Sequence, residues 1–280
     1  MAKPAPEIKT GTKWDATLDR SVCDRYNNVD LTLTLKIFFK KVDPPGGAHS
    51  GTFPDVDGTQ RKIVRWGSHF TTWTARFKRE VEAFWHGKFW LKCPTGFDKW
   101  DYDDKKVKYR PNIWCRFKFD MVMSAAVAHH TIETVRLDPT EPFFRSHSKL
   151  YDNKDIEPQV QGHGGIKRTH VHEVGHLLGL EHVGVDGPIG KGWAKCLIHQ
   201  FGGGSTNDTE CYGADASEQR DVMGSGSDRH EWHAKPWREA AEMFSGVGQS
   251  QWYAEMKRHY PRSPDDIAKL HWPTVKPARG

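Results

Sequence analysis

A group of histidines in the middle of the chain has the residue types and the spacing of a metal site. His172 and His176 are four positions apart, and on a helix such residues share one face, so both imidazoles can reach the same ion. Glu173 follows the first histidine, where its carboxylate can reach a water activated by the metal instead of the metal itself. The pattern predicts a helix that presents two metal ligands and one general base.

Gly179 and His182 extend this pattern beyond the helix. Glycine tolerates the left-handed conformation that ends a helix, so the chain can turn at Gly179 and bring His182 in from another direction. Three neutral imidazoles leave a tetrahedral Zn²⁺ with one open position, as in catalytic zinc sites. With 16 His and 26 Gly among 280 residues, the complete pattern arises by chance in roughly one such sequence in several thousand. The sequence therefore predicts one Zn²⁺ per chain, held by His172, His176 and His182.

These residues resemble the signature of the metzincin metallopeptidases, H-E-x-x-H-x-x-G-x-x-H followed by a methionine-containing turn. Asp221-Val222-Met223-Gly224, further along the chain, is similar to that turn. The resemblance implies that Met223 packs beneath the zinc ligands as a floor. Val183 after the third histidine does not point to a subfamily, and Ser225 stands where some members carry a tyrosine.

The resemblance implies a zinc-dependent endopeptidase that acts on a protein or peptide substrate. In this hypothesis the metal polarises the scissile carbonyl, while Glu173 takes the proton of the attacking water and delivers it to the leaving amine. An extended substrate is expected to add as a strand beside a sheet edge.

Two other functions stay open at this stage. One keeps the chemistry but directs it at a peptide bond of the bacterial cell wall, as expected for a delivered toxin or effector that is countered by an inhibitor or immunity protein. The other is a zinc-stabilised binding module without turnover, in which a fourth protein ligand such as Cys23 closes the site. An intact Glu173 favours an enzyme, because a purely structural site needs no base.

Composition and charge limit the remaining possibilities. Hydrophobic residues make up 36% and charged residues 28% of the chain, which is typical of a globular protein, and a monomer is expected. No run approaches the roughly eighteen apolar residues that a membrane span needs. A net charge of +5 with mixed signs and no recognisable module predicts no nucleic-acid partner. The N-terminus lacks the apolar core of a secretory signal, so we expect a protein that is extracellular or delivered by a route that needs no such signal or, alternatively, a cytoplasmic one.

The five cysteines do not form a zinc-binding pair or a dense disulfide framework. Cys196 and Cys211 flank a glycine-rich loop, and a disulfide between them would staple it in an oxidising compartment. Cys93 and Cys115 fall in apolar runs and are expected to be buried thiols.

Local patterns indicate the elements that must position the histidines. Four stretches have the alternation or the short apolar runs of strands: 30–39, 88–93, 113–127 and 131–137. Besides the zinc helix, two stretches have helical spacing, and a third begins with a helix cap: 68–90, 236–244 and 263–266. Residues 141–151 fit either an edge strand or an irregular segment.

The order of these elements predicts an α+β fold of the metzincin kind, in which a twisted mixed sheet is backed by a long helix and by the active-site helix. A smaller lower subdomain follows the zinc helix. We expect an N-terminal arm over 1–28, a catalytic domain over 29–246 with its upper part ending near residue 179, and a C-terminal helical extension over 247–280.

Overall fold

A computed structural model describes residues 4–22, 29–55, 58–104, 107–142, 149–162, 165–186, 209–213 and 215–256. The chain divides into two compact units. Unit 1 consists of Met1–Leu35, Trp85–Lys118 and His230–Gly280, and unit 2 consists of Lys36–Phe84 and Phe119–Arg229. The predicted division into arm, catalytic domain and extension follows other boundaries and stays a prediction.

The described residues contain both helices and strands, and most strands come before the helices of the second half of the chain, which agrees with the predicted α+β class. The helices are α1 (His69–Trp85), α2 (Thr169–Leu178), α3 (Val183–Asp186), α4 (Thr209–Tyr212), α5 (Ala216–Gln219) and α6 (Lys235–Ser245). The strands are β1 (Glu7–Lys9), β2 (Asp15–Asp19), β3 (Val29–Val42), β4 (Ser50–Pro54), β5 (Gln60–Val64), β6 (Phe89–Lys92), β7 (Tyr102–Asp104), β8 (Val107–Tyr109), β9 (Asn112–Met121), β10 (His130–Val135), β11 (Leu150–Asp152), β12 (Gln159–Val160), β13 (Ile166–Lys167) and β14 (Tyr253–Glu255).

Unit 1 contains antiparallel pairings and helix α6. Strand β2 pairs with β1 and with the first half of β3, and β6 pairs with β9 and β14. Helix α6 begins at the predicted place, with Pro236 in its first turn, where a missing N–H leaves no bond unmade. It ends at Gly246, whose φ of 77° is the left-handed conformation that favours glycine. The indole of Trp237 on its buried face donates to the Arg116 carbonyl at 2.9 Å.

Unit 2 carries parallel pairings, so the sheet is mixed, as the sequence predicts. The second half of β3 runs parallel to β10, from Ile37 opposite His130 to Val42 opposite Val135, and β10 runs parallel to β11. The predicted strands over 30–39 and 131–137 are confirmed as β3 and β10. Strands β4 and β5 form an antiparallel hairpin.

The long helix predicted over 68–90 is confirmed as α1 up to Trp85, while residues 89–90 belong to strand β6. The aromatic stripe of this helix is core. Phe77 is fully buried, and its ring lies 5.1 Å from that of Phe39, 5.6 Å from Phe119 and 5.5 Å from Tyr151. It also lies 5.4 Å from the imidazole of His170 on α2. Phe77 therefore joins α1, the sheet and the active-site helix within unit 2.

Three segments differ from the predicted elements or extend them. The predicted strand 113–127 ends at Met121, because Ser124 accepts from Ala126 N and starts a 3₁₀ turn instead of continuing the ladder. Residues 7–9 and 15–19 of the predicted arm are strands, since Ala16 and Leu18 alternate into the core. In the predicted helical extension, residues 253–255 form β14. The predicted helix at 263–266 lies outside the described residues, and within 141–151 only the end, at β11, is a described strand.

Helices long and apolar enough to cross a membrane do not occur in the described part of the chain. Cys93 and Cys115 are free thiols, and Cys115 is buried as predicted while Cys93 is half-buried.

We predict that Phe77→Ala lowers the free energy of unfolding by about 3–5 kcal/mol, because it leaves a cavity among four aromatic rings. Urea unfolding followed by tryptophan fluorescence measures the change. Met123→Ala is the control, since this side chain is 94% exposed and the change is expected within about 0.5 kcal/mol. Equal unfolding midpoints for the two variants would contradict the central position of Phe77.

Candidate metal centre

Helix α2 carries the two histidines of the predicted pair and ends at the predicted glycine. Gly179 has φ 97° and ψ 19°, a left-handed conformation that a side chain would strain. Leu180 N then donates back to the Gly175 carbonyl at 3.0 Å, which closes the last turn and reverses the chain. His182 follows two residues later and returns toward the helix, as the sequence predicts.

Backbone carbonyls fix the orientation of the two helical imidazoles. His172 Nδ1 lies 2.7 Å from the Val222 oxygen, and His176 Nδ1 lies 2.8 Å from the Leu180 oxygen. A carbonyl can only accept, so each Nδ1 carries the proton and each Nε2 presents a bare lone pair. Such a second hydrogen bond is what orients metal-ligating histidines in proteins.

The three histidines converge through their Nε2 atoms. The Nε2 atoms of His172 and His182 each lie 3.2 Å from that of His176. Since the Nε2 atoms of His172 and His176 carry no proton, no hydrogen bond relieves the repulsion between these two lone pairs. In a tetrahedral site with zinc–nitrogen bonds of about 2.0–2.1 Å, neighbouring nitrogens stand about 3.3–3.4 Å apart. The ligand atoms all lie within 4.8 Å of one another, so the group could hold a metal ion.

The turn predicted to resemble the metzincin methionine turn contacts both parts of this group. Val222 supplies the carbonyl that accepts from His172, and the next carbonyl, that of Met223, accepts from Val183 N at 3.1 Å. One turn thus holds the helical ligand and the segment that carries His182. Met223 is fully buried, as predicted, while its packing beneath the imidazoles stays a prediction.

Close backbone contacts explain the glycines of this turn. Asp221, which is buried, accepts from Met223 N at 2.7 Å and so folds the turn on itself. A Cβ at Gly224 would stand 2.7 Å from the Tyr212 oxygen, and one at Gly226 would stand 2.0 Å from the Arg220 oxygen. Both positions therefore need glycine for space, a requirement that differs from the conformational one at Gly179.

Glu173 directly follows the first of these histidines on α2 and is buried, as His172 is. Burial raises its pKa from 4.5 to about 7, against the lowering effect of the Lys167 charge. These values belong to the metal-free chain, and a bound cation would favour the carboxylate. A carboxyl group whose pKa lies near neutrality can both take and return a proton, as general acid–base catalysis requires.

The histidines of the group are held in the neutral form that binds metals. Burial lowers the pKa of His176 to about 4, against its hydrogen bond to Leu180, with a smaller contribution from the charge of Lys167. Burial also places the pKa of His172 and that of His182 well below the usual value of 6.5. Neutral imidazoles can bind a metal without first releasing a proton.

Two residues near this group carry no signal in the sequence. The ring of Tyr212 lies 4.5 Å from that of His182 and 6.4 Å from that of His172. Lys167 lies on β13, and its Nζ is 5.9 Å from the centre of the Tyr212 ring. Some metzincins carry a tyrosine shortly after the methionine of the turn, where this chain has Ser225. Here the tyrosine near the histidines is Tyr212, at the end of α4.

A charged network at the start of α2 joins it to α1. Glu80 lies 3.3 Å from His170 Nε2 and 3.2 Å from Arg168 Nη1, and it also bonds to Arg76 at 2.7 Å. The proximity of His170 is the main cause that lowers the pKa of Glu80 to about 2, with burial opposing and Arg76 adding to the lowering. His170 also uses its Nδ1 on the Asp155 carbonyl at 2.9 Å. These contacts fix the first turn of the helix that carries the ligands.

The predicted disulfide is only partly visible. Cys211, adjacent to Tyr212, is disulfide-bonded and buried. Cys196 and Cys23 lie outside the described residues, so the pairing of Cys196 with Cys211 and a closing role for Cys23 stay predictions.

Comparison of the chain with protein-family models, with curated proteins and with solved structures finds no match.

We predict that the metal-free protein binds about one equivalent of Zn²⁺ and that His182→Ala abolishes or strongly weakens binding. Because the ion binds only the folded chain, Zn²⁺ at a hundredfold excess over its Kd should stabilise the protein by about 2.7 kcal/mol. Isothermal titration and thermal unfolding measure both effects. His49→Ala is the control, since His49 is exposed. If the wild-type protein cannot be loaded with any divalent metal, the prediction of a metal site is wrong.

The metal-free protein should lose stability as pH falls from about 6.5 to about 4.5. The folded pKa values of the three histidines lie below 6.5, so over this range the unfolded chain binds protons that the folded chain does not. Glu173 acts in the opposite direction, because its pKa is about 7 in the folded chain and about 4.5 in the unfolded chain. Its contribution to the free energy of unfolding therefore falls as pH rises. Three groups outweigh one, so acid should favour unfolding.

Urea midpoints at several pH values test this balance. Glu173→Gln removes the opposing group and should make the loss toward acid steeper than in the wild type. A midpoint that is independent of pH in both proteins would contradict the burial of the neutral histidines.

Proposed function

We propose that the protein is a zinc-dependent endopeptidase whose catalytic unit is metzincin-like. The observation that carries this proposal is the convergence of three histidine Nε2 atoms, together with a buried glutamate that directly follows the first histidine. A structural zinc site has no use for a base at this position, and it is usually closed by a fourth protein ligand. Among the described residues, His172, His176 and His182 are the only group of metal-binding side chains of this kind.

The donor set fits zinc. Three imidazole nitrogens suit Zn²⁺ better than Mg²⁺ or Ca²⁺, which prefer oxygen ligands. When bound there, the ion would polarise a substrate carbonyl and make a nearby water more acidic. His172, His176 and His182 would hold it, and the Val222 and Leu180 carbonyls keep two of these rings in place.

Glu173 supplies the proton transfers of the proposed hydrolysis. Its carboxylate takes the proton of the attacking water and then gives it to the leaving amine. Both transfers need a group whose pKa is close to the pH of the solution. Burial raises the pKa of Glu173 in the metal-free chain to about 7, which is in this range.

Metzincin-like geometry is supported by the conformation of the motif and by one feature outside it. Within the motif, the helix ends at the left-handed Gly179, and His182 returns to the other histidines. Outside it, the buried Met223 lies in a tight turn. The Val222 carbonyl of that turn accepts a hydrogen bond from His172, so the position of the turn determines the orientation of this histidine. The proposed substrate is a protein or peptide, and cleavage of cell-wall peptide or control by an inhibitor stays a prediction.

We predict that Glu173→Gln lowers turnover by at least about a hundredfold and up to ten-thousandfold, while Zn²⁺ content is unchanged. Glutamine keeps the shape of glutamate but cannot take the proton, and residue 173 is not a ligand. Digestion of a mixed peptide library by the zinc-loaded protein, read by mass spectrometry, provides the substrate and the rate.

Glu231→Gln is the matched control, because Glu231 is exposed on another segment and should not affect cleavage. Peptides that bind the zinc-loaded wild type but are never cut, with equal behaviour of the Glu173→Gln variant, would make the protein a binding module instead of a peptidase.

A further inference from the structure

Lys167 stands beside the histidine group, although it belongs to no recognised motif. It ends β13, where it pairs with Gln159, and the Gln159 side chain bonds to Thr169 Oγ1 at the start of α2. Its Nζ lies 5.9 Å from the Tyr212 ring, and this ring lies 4.5 Å from that of His182. Strand pairing on one side and an aromatic face on the other thus hold an ammonium group next to the ligands.

The ammonium group of Lys167 has no acidic partner within ion-pair distance among the described residues. Other lysines of the chain differ in this respect: Lys40 bonds to Glu133 at 2.7 Å and Lys78 bonds to Glu82 at 2.9 Å. Lys167 is half-buried, so part of its hydration is already lost without compensation by a carboxylate. Binding of a carboxylate to this ammonium group would therefore be favourable.

The charge of Lys167 reaches every titratable side chain of the group. Burial is the largest cause of the pKa shifts of His172, His176, His182 and Glu173. The charge of Lys167 is a further cause, and it lowers all four pKa values. With a divalent ion bound and Glu173 ionised, the group and Lys167 together carry a net charge of about +2. A neutral peptide segment leaves this charge unbalanced, whereas a carboxylate on the substrate reduces it.

We propose that Lys167 is a specificity-determining residue that selects substrates with a carboxylate next to the scissile bond. The carboxylate is either an acidic side chain or the free C-terminus of the peptide. This inference rests on the proposed function and adds the chemical class of the substrate. The Lys167 ammonium donates charge-assisted hydrogen bonds to the carboxylate, while Tyr212 limits where the ammonium can move.

The test uses two sets of peptide pairs, built around the bond that the library digest identifies. In the first set, one member has Glu and the other Gln at a position flanking that bond. In the second set, one member has a free C-terminus and the other an amidated one. For the zinc-loaded wild type, we expect a KM about ten- to a hundredfold lower for the acidic member of the preferred pair, with similar kcat. Lys167→Met should remove this preference, and Lys167→Arg should keep it. Lys62→Met is the matched control, since Lys62 is exposed.

Direct binding separates this inference from the proposed function. Zinc-loaded protein with Glu173→Gln is titrated with the same peptide pairs and with N-acetylglutamate against N-acetylglutamine, with Kd measured by fluorescence or NMR. A preference for the acid that disappears in Lys167→Met supports the inference even if no peptide is ever cleaved. Failure of the peptidase proposal is thus seen in the cleavage assay, and failure of this inference is seen in the Kd values.

Two results would overturn the inference. A carboxylate preference that survives in Lys167→Met would mean that the acid binds through the metal alone. An equal loss of kcat for acidic and neutral peptides, with KM unchanged, would place Lys167 in stabilisation of the transition state instead of in substrate selection.

Discussion

Two hydrogen bonds from imidazoles to backbone carbonyls are the constraint on which the site depends. They decide the tautomer of His172 and of His176, and so they turn both Nε2 lone pairs toward a common point. The Nε2 atoms of the two rings consequently stand 3.2 Å apart. Much of the fold around α2 can be understood as support for this arrangement of the rings.

The two carbonyls come from different kinds of local structure. Leu180 is close in sequence to His176, and the left-handed turn at Gly179 brings its carbonyl within 2.8 Å of His176 Nδ1. Val222 is distant from His172 and depends on a turn that Asp221 closes and that two crowded glycines make possible. The helical part of the site is therefore built locally, while its second support needs the long-range fold. The Glu80 network and Phe77 contribute the same kind of long-range support from α1.

Sequence reasoning reaches the local features and misses the long-range ones. The spacing of His172 and His176 and the turn at Gly179 follow from helix geometry, and β3, α1 and α6 follow from hydrophobic periodicity. The predicted arm over 1–28 misses the strands at 7–9 and 15–19, because segments so short give little alternation to detect. Tyr212 and Lys167 have neither spacing nor composition to mark them. Their proximity to the histidines exists only after the chain has folded, and no pattern within their own segments encodes it.

Unequal burial of the three histidines makes them unequally accessible from solution. His172 and His182 are buried, whereas His176 is only partly covered. The ring that solvent contacts is the one bonded to the Leu180 carbonyl at the end of α2, and the ring bonded to the Val222 carbonyl is shielded. The half of the site that is built locally is therefore the accessible half, and the half that needs the long-range fold is the protected one.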